Sequence, residues 1–256
     1  MFLDGLFLFG KLTFMCVGDT IKKEFRIRED MYLDRFDLFV FIIEIISITS
    51  YAISGSMAAV KKGMDTFGVV MIGVTTSVGG GMIRDIILGI TPPKIFSNPI
   101  YAIVAAVISL ITFIVIYRYA KKNSEEFHMN RIMDGILFWL DTVGVGIFTM
   151  VGIATAYEIS AEWNGFLLCF VGVITGVGGG IMRDILVGNR PYIFVKHFYA
   201  CASIIGAVVC ILMWQASGRV IAMLKGAGVV VILRLLAAKF RWNMPHVPGY
   251  DPNKQT

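Results

Sequence analysis

Arg84-Asp85 and Arg183-Asp184 are ionisable pairs set in apolar sequence, and each follows three consecutive glycines, Gly79-Gly80-Gly81 and Gly178-Gly179-Gly180. Glu44 and Asp141 are two further acids inside long apolar stretches. At membrane depth such a group costs ~2.5–3.5 kcal/mol on insertion scales, and it ordinarily faces a bundle interior or a water-filled cavity. Each glycine weakens a helix interior by about 1 kcal/mol relative to Ala, and carbonyls freed by a break must be satisfied by protein or water. The pattern predicts two membrane helices broken at their glycine triplets, with carbonyls and charges lining a binding site or permeation path. The competing explanation is close helix packing, which small residues also allow. Thr75, Thr76, Ser77 and Thr175 precede the glycines, where their hydroxyls either line the path or bond their own helix.

Other chemistries find no support. Neither triplet continues into GxxxxGK[ST], and positions 66–93 contain no Lys, so this is not a phosphate-binding loop. His128, His197 and His246 are too scattered for a metal site. Cys16, Cys169, Cys201 and Cys210 show no CxxC spacing and read as small apolar residues. No nucleophile-base set emerges, so neither an enzyme nor a cofactor is expected.

The elements that must carry these residues are membrane helices. The 256 residues are 57% apolar and 16% charged, with a mean hydropathy of +0.75. A soluble monomer cannot hide that much apolar surface, and no strand-like alternation of outer-membrane type is present. The fold class is all-α integral membrane. Six charge-free windows, 45–60, 66–83, 95–117, 142–157, 163–182 and 197–218, are each about long enough to span a ~30 Å hydrocarbon layer once flanking apolar residues are added. A seventh span, 219–238, carries Lys225 and Arg234 toward its ends, where long side chains can snorkel. Phe96, Tyr101, Phe194, Tyr199, Trp163, Trp214 and Trp242 fall near span ends, as an aromatic belt does. Lys and Arg sit in short clusters between the spans, which argues for helix orientation and membrane lipids as neighbours, against nucleic acid. Eleven such residues flank one side and two the other, which places the C-terminus in the cytoplasm and the N-terminus outside. The apolar start lacks a basic n-region and a small-residue cleavage site, so no cleaved signal peptide is expected.

The segment 73–89 recurs at 172–188 with 11 of 17 positions identical. Pro93, Phe96 and Tyr101 then correspond to Pro191, Phe194 and Tyr199, and Glu44 and Gly55 to Asp141 and Gly152. The chain is therefore an internal duplication. Three spans per copy is an odd number, which implies opposite crossing senses and an inverted repeat. The expected division is an N-terminal extension over 1–35, either an interfacial helix or an overextended start, repeat 1 over 36–117 and a cytoplasmic loop over 118–132. Repeat 2 follows over 133–215, then a seventh helix over 216–240 and a cytoplasmic tail over 241–256. Depth along the helices, ~1.5 Å per residue, brings Glu44 level with Arg84 and Asp141 level with Arg183. Two symmetry-related ion pairs are expected, and no exchange of partners between repeats.

The doubled GGG-x-x-RD, the Pro92-Pro93-x-x-Phe96 after its first copy and the closing stretch from Arg234 to Pro245 resemble the prokaryotic branch of the trimeric intracellular cation (TRIC) channel family. Some bacterial relatives of that branch are described as glycine transporters. The resemblance covers roughly residues 37–245. It implies seven helices in two inverted three-helix repeats, kinks at the glycine triplets of helices two and five, and a homotrimer in the plasma membrane with one pore per protomer. The implied function is passage of monovalent cations, potassium first, with transport of a small amino acid as the alternative. Animal members bind phosphoinositide through basic residues on the fourth helix, whereas positions 142–157 contain no Lys or Arg.

Overall fold

The computed structural model describes residues 35–122, 129–159, 164–195, 198–240 and 242. The expectations for residues 1–34, for Cys16, Trp163, His128, His197 and His246, and for the tail beyond Trp242 fall outside them. The chain divides into two units, residues 1–40 and 41–256. Within the first, the described residues are the opening of one helix.

Nine helices occur among the described residues. They are α1 (Arg35–Lys61), α2 (Thr66–Ile87), the short α3 (Lys94–Ser97), α4 (Ile100–Lys122), α5 (Met129–Ile159), α6 (Gly165–Leu186), the short α7 (Tyr192–Val195), α8 (Tyr199–Ser217) and α9 (Arg219–Phe240). Seven of these are long and apolar enough to cross a membrane, and no strand occurs among the described residues. The order long, long, short, long appears twice, and α9 follows the second copy.

The spans run further than the charge-free windows. Glu44 and Asp141 lie inside α1 and α5, and Arg84-Asp85 and Arg183-Asp184 lie within the last turns of α2 and α6, because each charge is paired there and does not need solvent. The expected loop 118–132 shrinks accordingly, since α4 continues to Lys122 and α5 begins at Met129.

Local signals fix the helix ends in the same way in both copies. Asp65 accepts a hydrogen bond from the Gly68 amide at 2.8 Å at the start of α2. Asn164 caps α6 by accepting from the Phe166 and Leu167 amides at 3.1 and 3.2 Å. Gly89 and Gly188 end these helices at φ +70° and +72°, a left-handed conformation that favours glycine.

Helix α2 packs on α4 and α6, α6 on α5 and α8, and α9 on α5 and α8. A cluster of Met57, Ala58, Val69, Ile72, Met133 and Leu137 fills the space near the α1-α2 turn. The surface of α4 is lined by exposed Ile103, Val107, Leu110, Ile111, Ile114 and Val115, an apolar cover suited to lipid or to a neighbouring protomer.

Both glycine triplets lie inside unbroken helix. The expected helix breaks are therefore absent, and the packing explanation holds for the central glycines. A Cβ on Gly80 would overlap the Thr175 carbonyl oxygen, and one on Gly179 would overlap that of Thr76. The two contacts are reciprocal, so α2 and α6 cross backbone to backbone at these residues. Glycine is required because nothing larger fits the crossing, while the carbonyls stay within the helical ladder.

Candidate functional site

The Arg-Asp pairs sit where α2 and α6 end, and the Asp of each organises the turn that follows. Asp85 Oδ2 accepts a hydrogen bond from the Lys94 amide at 2.8 Å, and Asp184 Oδ2 accepts one from the Tyr192 amide at 2.9 Å. Each carboxylate thus fastens a short helix, α3 or α7, to the end of the long one. The other oxygen holds the preceding arginine: Arg84 Nε and Arg183 Nε donate to Asp85 Oδ1 and Asp184 Oδ1, both at 2.8 Å.

From there each guanidinium reaches the acid on the neighbouring helix. Arg84 Nη1 lies 3.7 Å from Glu44 Oε1, and Arg183 Nη1 lies 3.0 Å from Asp141 Oδ1. These are the two expected ion pairs. A tyrosine completes each group, with Tyr101 donating to Glu44 Oε2 at 2.8 Å and Tyr199 to Asp141 Oδ1 at 3.3 Å. These tyrosines were expected in an aromatic belt; instead their hydroxyls donate to the half-buried Glu44 and the buried Asp141 carboxylates. Their correspondence within the repeat, Tyr101 to Tyr199, was the signal that could have found them.

The two clusters differ in what closes them. At the second, Arg234 of α9 brings Nη1 to 2.9 Å from Asp141 Oδ2, and its Cζ lies 4.2 Å from the ring centre of Tyr199 and 5.5 Å from that of Phe138. Arg234 was expected to snorkel from the end of the last span, yet it is 4% exposed. Helix α9 is held there by a glycine contact with α8, since a Cβ on Gly206 or on Gly226 would crowd the other's carbonyl oxygen at 2.8 or 2.9 Å. Arg183 also donates to Ser54 Oγ of α1 at 2.6 Å. With Asp141, Asp184, Arg183 and Arg234 together, the second cluster is neutral, buried and filled.

At the first cluster a small pocket of about 40 Å³ opens, lined among others by Glu44, Ser77, Gly81, Arg84, Tyr101 and Phe148. Asp85 and Lys94 also border it. Both signs of charge, the Tyr101 hydroxyl and an aromatic ring border one cavity, while the Ser77 hydroxyl donates to the Gly73 and Ile48 carbonyls at 2.8 and 3.1 Å; the arrangement is able to hold a small cation or a zwitterion.

The remaining expected path residues divide. Ser77 and Gly81 line the pocket, and Thr75 is half-buried on α2. Thr76 and Thr175 turn their hydroxyls back on their own helices, donating to the Ile72 and Val171 carbonyls at 2.6 Å each. They pack against Gly55 and Gly152, where an added Cβ would lie 2.5 Å from each threonine Oγ1. Gly79 faces Met182, and Gly178 faces Gly80 and Ile83; Gly180 adjoins Tyr199 and Asp141. The triplets therefore join the two repeats, and one glycine of the six borders the pocket.

The fold and these clusters define a multi-pass membrane protein built from a duplicated three-helix unit. A model of the family described as Glycine transporter matches residues 41–117 and 138–215, one segment in each copy. The chain belongs to this family. It is 34% identical to the UPF0126 inner membrane protein YadS of Escherichia coli (strain K12) over 81% of this chain and 94% of that protein. It is 30% identical to a UPF0126 membrane protein of Vibrio cholerae over 80% of this chain and 82% of the relative. Among solved structures, one concerned with conductance through TRIC cation channels is similar at 36% identity and a TM-score of 0.69, covering 82% of this chain and 98% of that one. The TRIC trimeric intracellular cation channel orthologue from Rhodobacter sphaeroides is similar at 27% identity and a TM-score of 0.71, covering 80% and 99%.

Proposed function

We propose that this protein is a cation channel of the plasma membrane, passing monovalent cations, potassium among them, through a path in each protomer of a homotrimer. The observation that carries the reading is the similarity over four fifths of the chain to solved TRIC cation channels. The first-cluster pocket is the mouth of the path. Its Glu44 carboxylate and the Ser77 and Tyr101 hydroxyls replace part of an ion's hydration shell, and Arg84 keeps the site from binding too tightly to release. The filled second cluster and the α2-α6 crossing are the closed portion.

In this reading the copies are inverted repeats, the C-terminus is cytoplasmic and the N-terminus is outside. The pocket then faces outward and the cluster of Asp141, Arg183 and Arg234 lies toward the cytoplasm. The domain division follows the duplication, with residues 36–117 and 133–215 as the repeats. No catalytic step is assigned to any residue.

A second reading has one specific observation in its favour. The pocket presents Glu44 beside Arg84 and Lys94, groups that can hold the ammonium and carboxylate of a small amino acid. Purified protein in liposomes separates the two. Voltage-driven potassium flux without uptake of labelled glycine supports the channel, and saturable glycine uptake without ion conduction supports the transporter.

A further inference from the structure

Glu44, Arg84 and Asp85 of the first cluster repeat Asp141, Arg183 and Asp184 of the second. Two acids and one arginine leave each set with a net −1. In the second repeat Arg234 cancels that excess from a locked position, 2.9 Å from Asp141 and 4% exposed. In the first repeat the cation at hand is Lys94, which borders the pocket together with Glu44, Arg84 and Asp85. Lys94 stands on α3 where Tyr192 stands on α7, at the offset of 98 residues that also relates Pro93 to Pro191. The backbone places both alike, through their amide bonds to Asp85 and Asp184. Their side chains differ. The Tyr192 ring lies against the Arg183 guanidinium, with its centre 5.7 Å from Cζ. The Lys94 side chain is half-buried, and its ammonium makes no ion pair or hydrogen bond among the described residues.

We propose that Lys94 is the residue that limits cation entry to the first-cluster pocket. Its unpaired ammonium brings the four bordering charges to zero, and without it they sum to −1. This role rests on the channel reading and deepens it. Arg84 cannot fill the role, because its Nε and Nη2 both lie 2.8 Å from Asp85 Oδ1 and its charge is already matched there. Lys94 is fixed to the fold only through its backbone, so a compact charge on a flexible stem stands at the rim. A cleft with an excess of negative charge concentrates cations, and Lys94 opposes that excess. The amino-acid reading makes the opposite demand on the same residue. There Lys94 would hold the substrate carboxylate, and its loss would weaken uptake.

Planar bilayer recording of the full-length Lys94→Gln variant beside the parent tests the role. The amide bond to Asp85 survives the change, so α3 keeps its place. In ~0.1 M potassium chloride the unitary current should rise about threefold or more. The gain should fade near ~1 M salt, where the Debye length shrinks to about 3 Å, and Lys94→Arg should carry the parent current. Lys225→Gln removes the same charge from an exposed position on α9 outside the pocket and should leave the current unchanged. A second measurement reads the field without ion flow. A cysteine at Ile95, which lines the pocket beside Lys94, is reacted in detergent with a cationic and an anionic methanethiosulfonate, above the background of the native cysteines. Lys94→Gln should raise the ratio of cationic to anionic rates about threefold or more. An unchanged ratio overturns the role, as does a Lys94→Gln channel that carries the parent current at low salt. A silent bilayer for both proteins with a raised ratio counts against the channel reading and leaves the control of pocket charge by Lys94 standing.

Discussion

Tyr51 and Phe148 occupy equivalent positions in the two repeats, 97 residues apart, and their rings meet with centres 5.3 Å apart. The one chemical difference between them, a hydroxyl, separates the two halves of the site. Tyr51 donates to the Gly176 carbonyl oxygen beneath the second cluster. Phe148 has no such group, and its ring forms a wall of the pocket. Near-symmetric halves thus end in one filled and one open cluster.

This contact is the expected barrier between pocket and closed portion. Phe148→Ala should enlarge the pocket and raise potassium flux in liposomes several-fold. Tyr51→Phe keeps the ring and removes one hydrogen bond, so it should cost about 0.5–1.5 kcal/mol in thermal unfolding and change flux less. Equal flux in Phe148→Ala and the parent would remove the ring from the path.

Alanine at the helix crossing should act on assembly before conduction. A methyl on Gly80 or Gly179 meets a backbone carbonyl that has no room to move, and overpacking of this kind costs about 1–3 kcal/mol or more. Gly81→Ala meets only Arg84 Nη2 at 3.8 Å and should be tolerated. Yield and thermal unfolding of the three variants in detergent check the contrast; Gly80→Ala as stable as Gly81→Ala would show that the crossing is not tight.

The two clusters should respond unequally to loss of their acids. Asp141→Asn leaves Arg183 and Arg234 buried at 1% and 4% exposure beside a neutral amide, for which about 3–5 kcal/mol of destabilisation is expected. Glu44→Gln should cost less, because Glu44 serves one arginine, at 3.7 Å, where Asp141 serves two, and the Glu44 side chain is 13% exposed. In a cycle of Asp141→Asn with Arg183→Gln, the double variant should be milder than the sum of the singles. Strict additivity would mean that the 3.0 Å pair carries no coupling.

Hydropathy, the duplication and the depth of Glu44, Arg84, Asp141 and Arg183 were legible in the sequence because burial cost and helical rise are local quantities. The glycine triplets misled because glycine signals a break and a close approach by the same lack of a Cβ. Only the facing Thr76 and Thr175 carbonyls, on partners known after folding, decide between them. Arg234 was missed for a related reason. It lies six residues from the end of α9, where a lipid-exposed arginine would snorkel, and its true partners come from α5 and α8. The repeat held the clue to Tyr101 and Tyr199, since paired tyrosines at one offset from paired acids suggest a shared contact.

Orientation is open to chemical labelling. Cysteine at Lys61 should react from the cytoplasmic side and cysteine at Lys94 from the outside, both with membrane-impermeant reagent. With Arg234 buried, the basic excess of flanking residues falls to ten against two, which leaves the direction unchanged. Reversed labelling would turn the molecule over and place the pocket in the cytoplasm.

The most direct test is a planar bilayer recording of the purified protein across a potassium chloride gradient. Unitary currents whose reversal potential shifts toward the potassium equilibrium value, with amplitude reduced in Glu44→Gln, are predicted by a cation path that begins at the first-cluster pocket. A silent bilayer, together with saturable uptake of labelled glycine by the same preparation in liposomes, would contradict it.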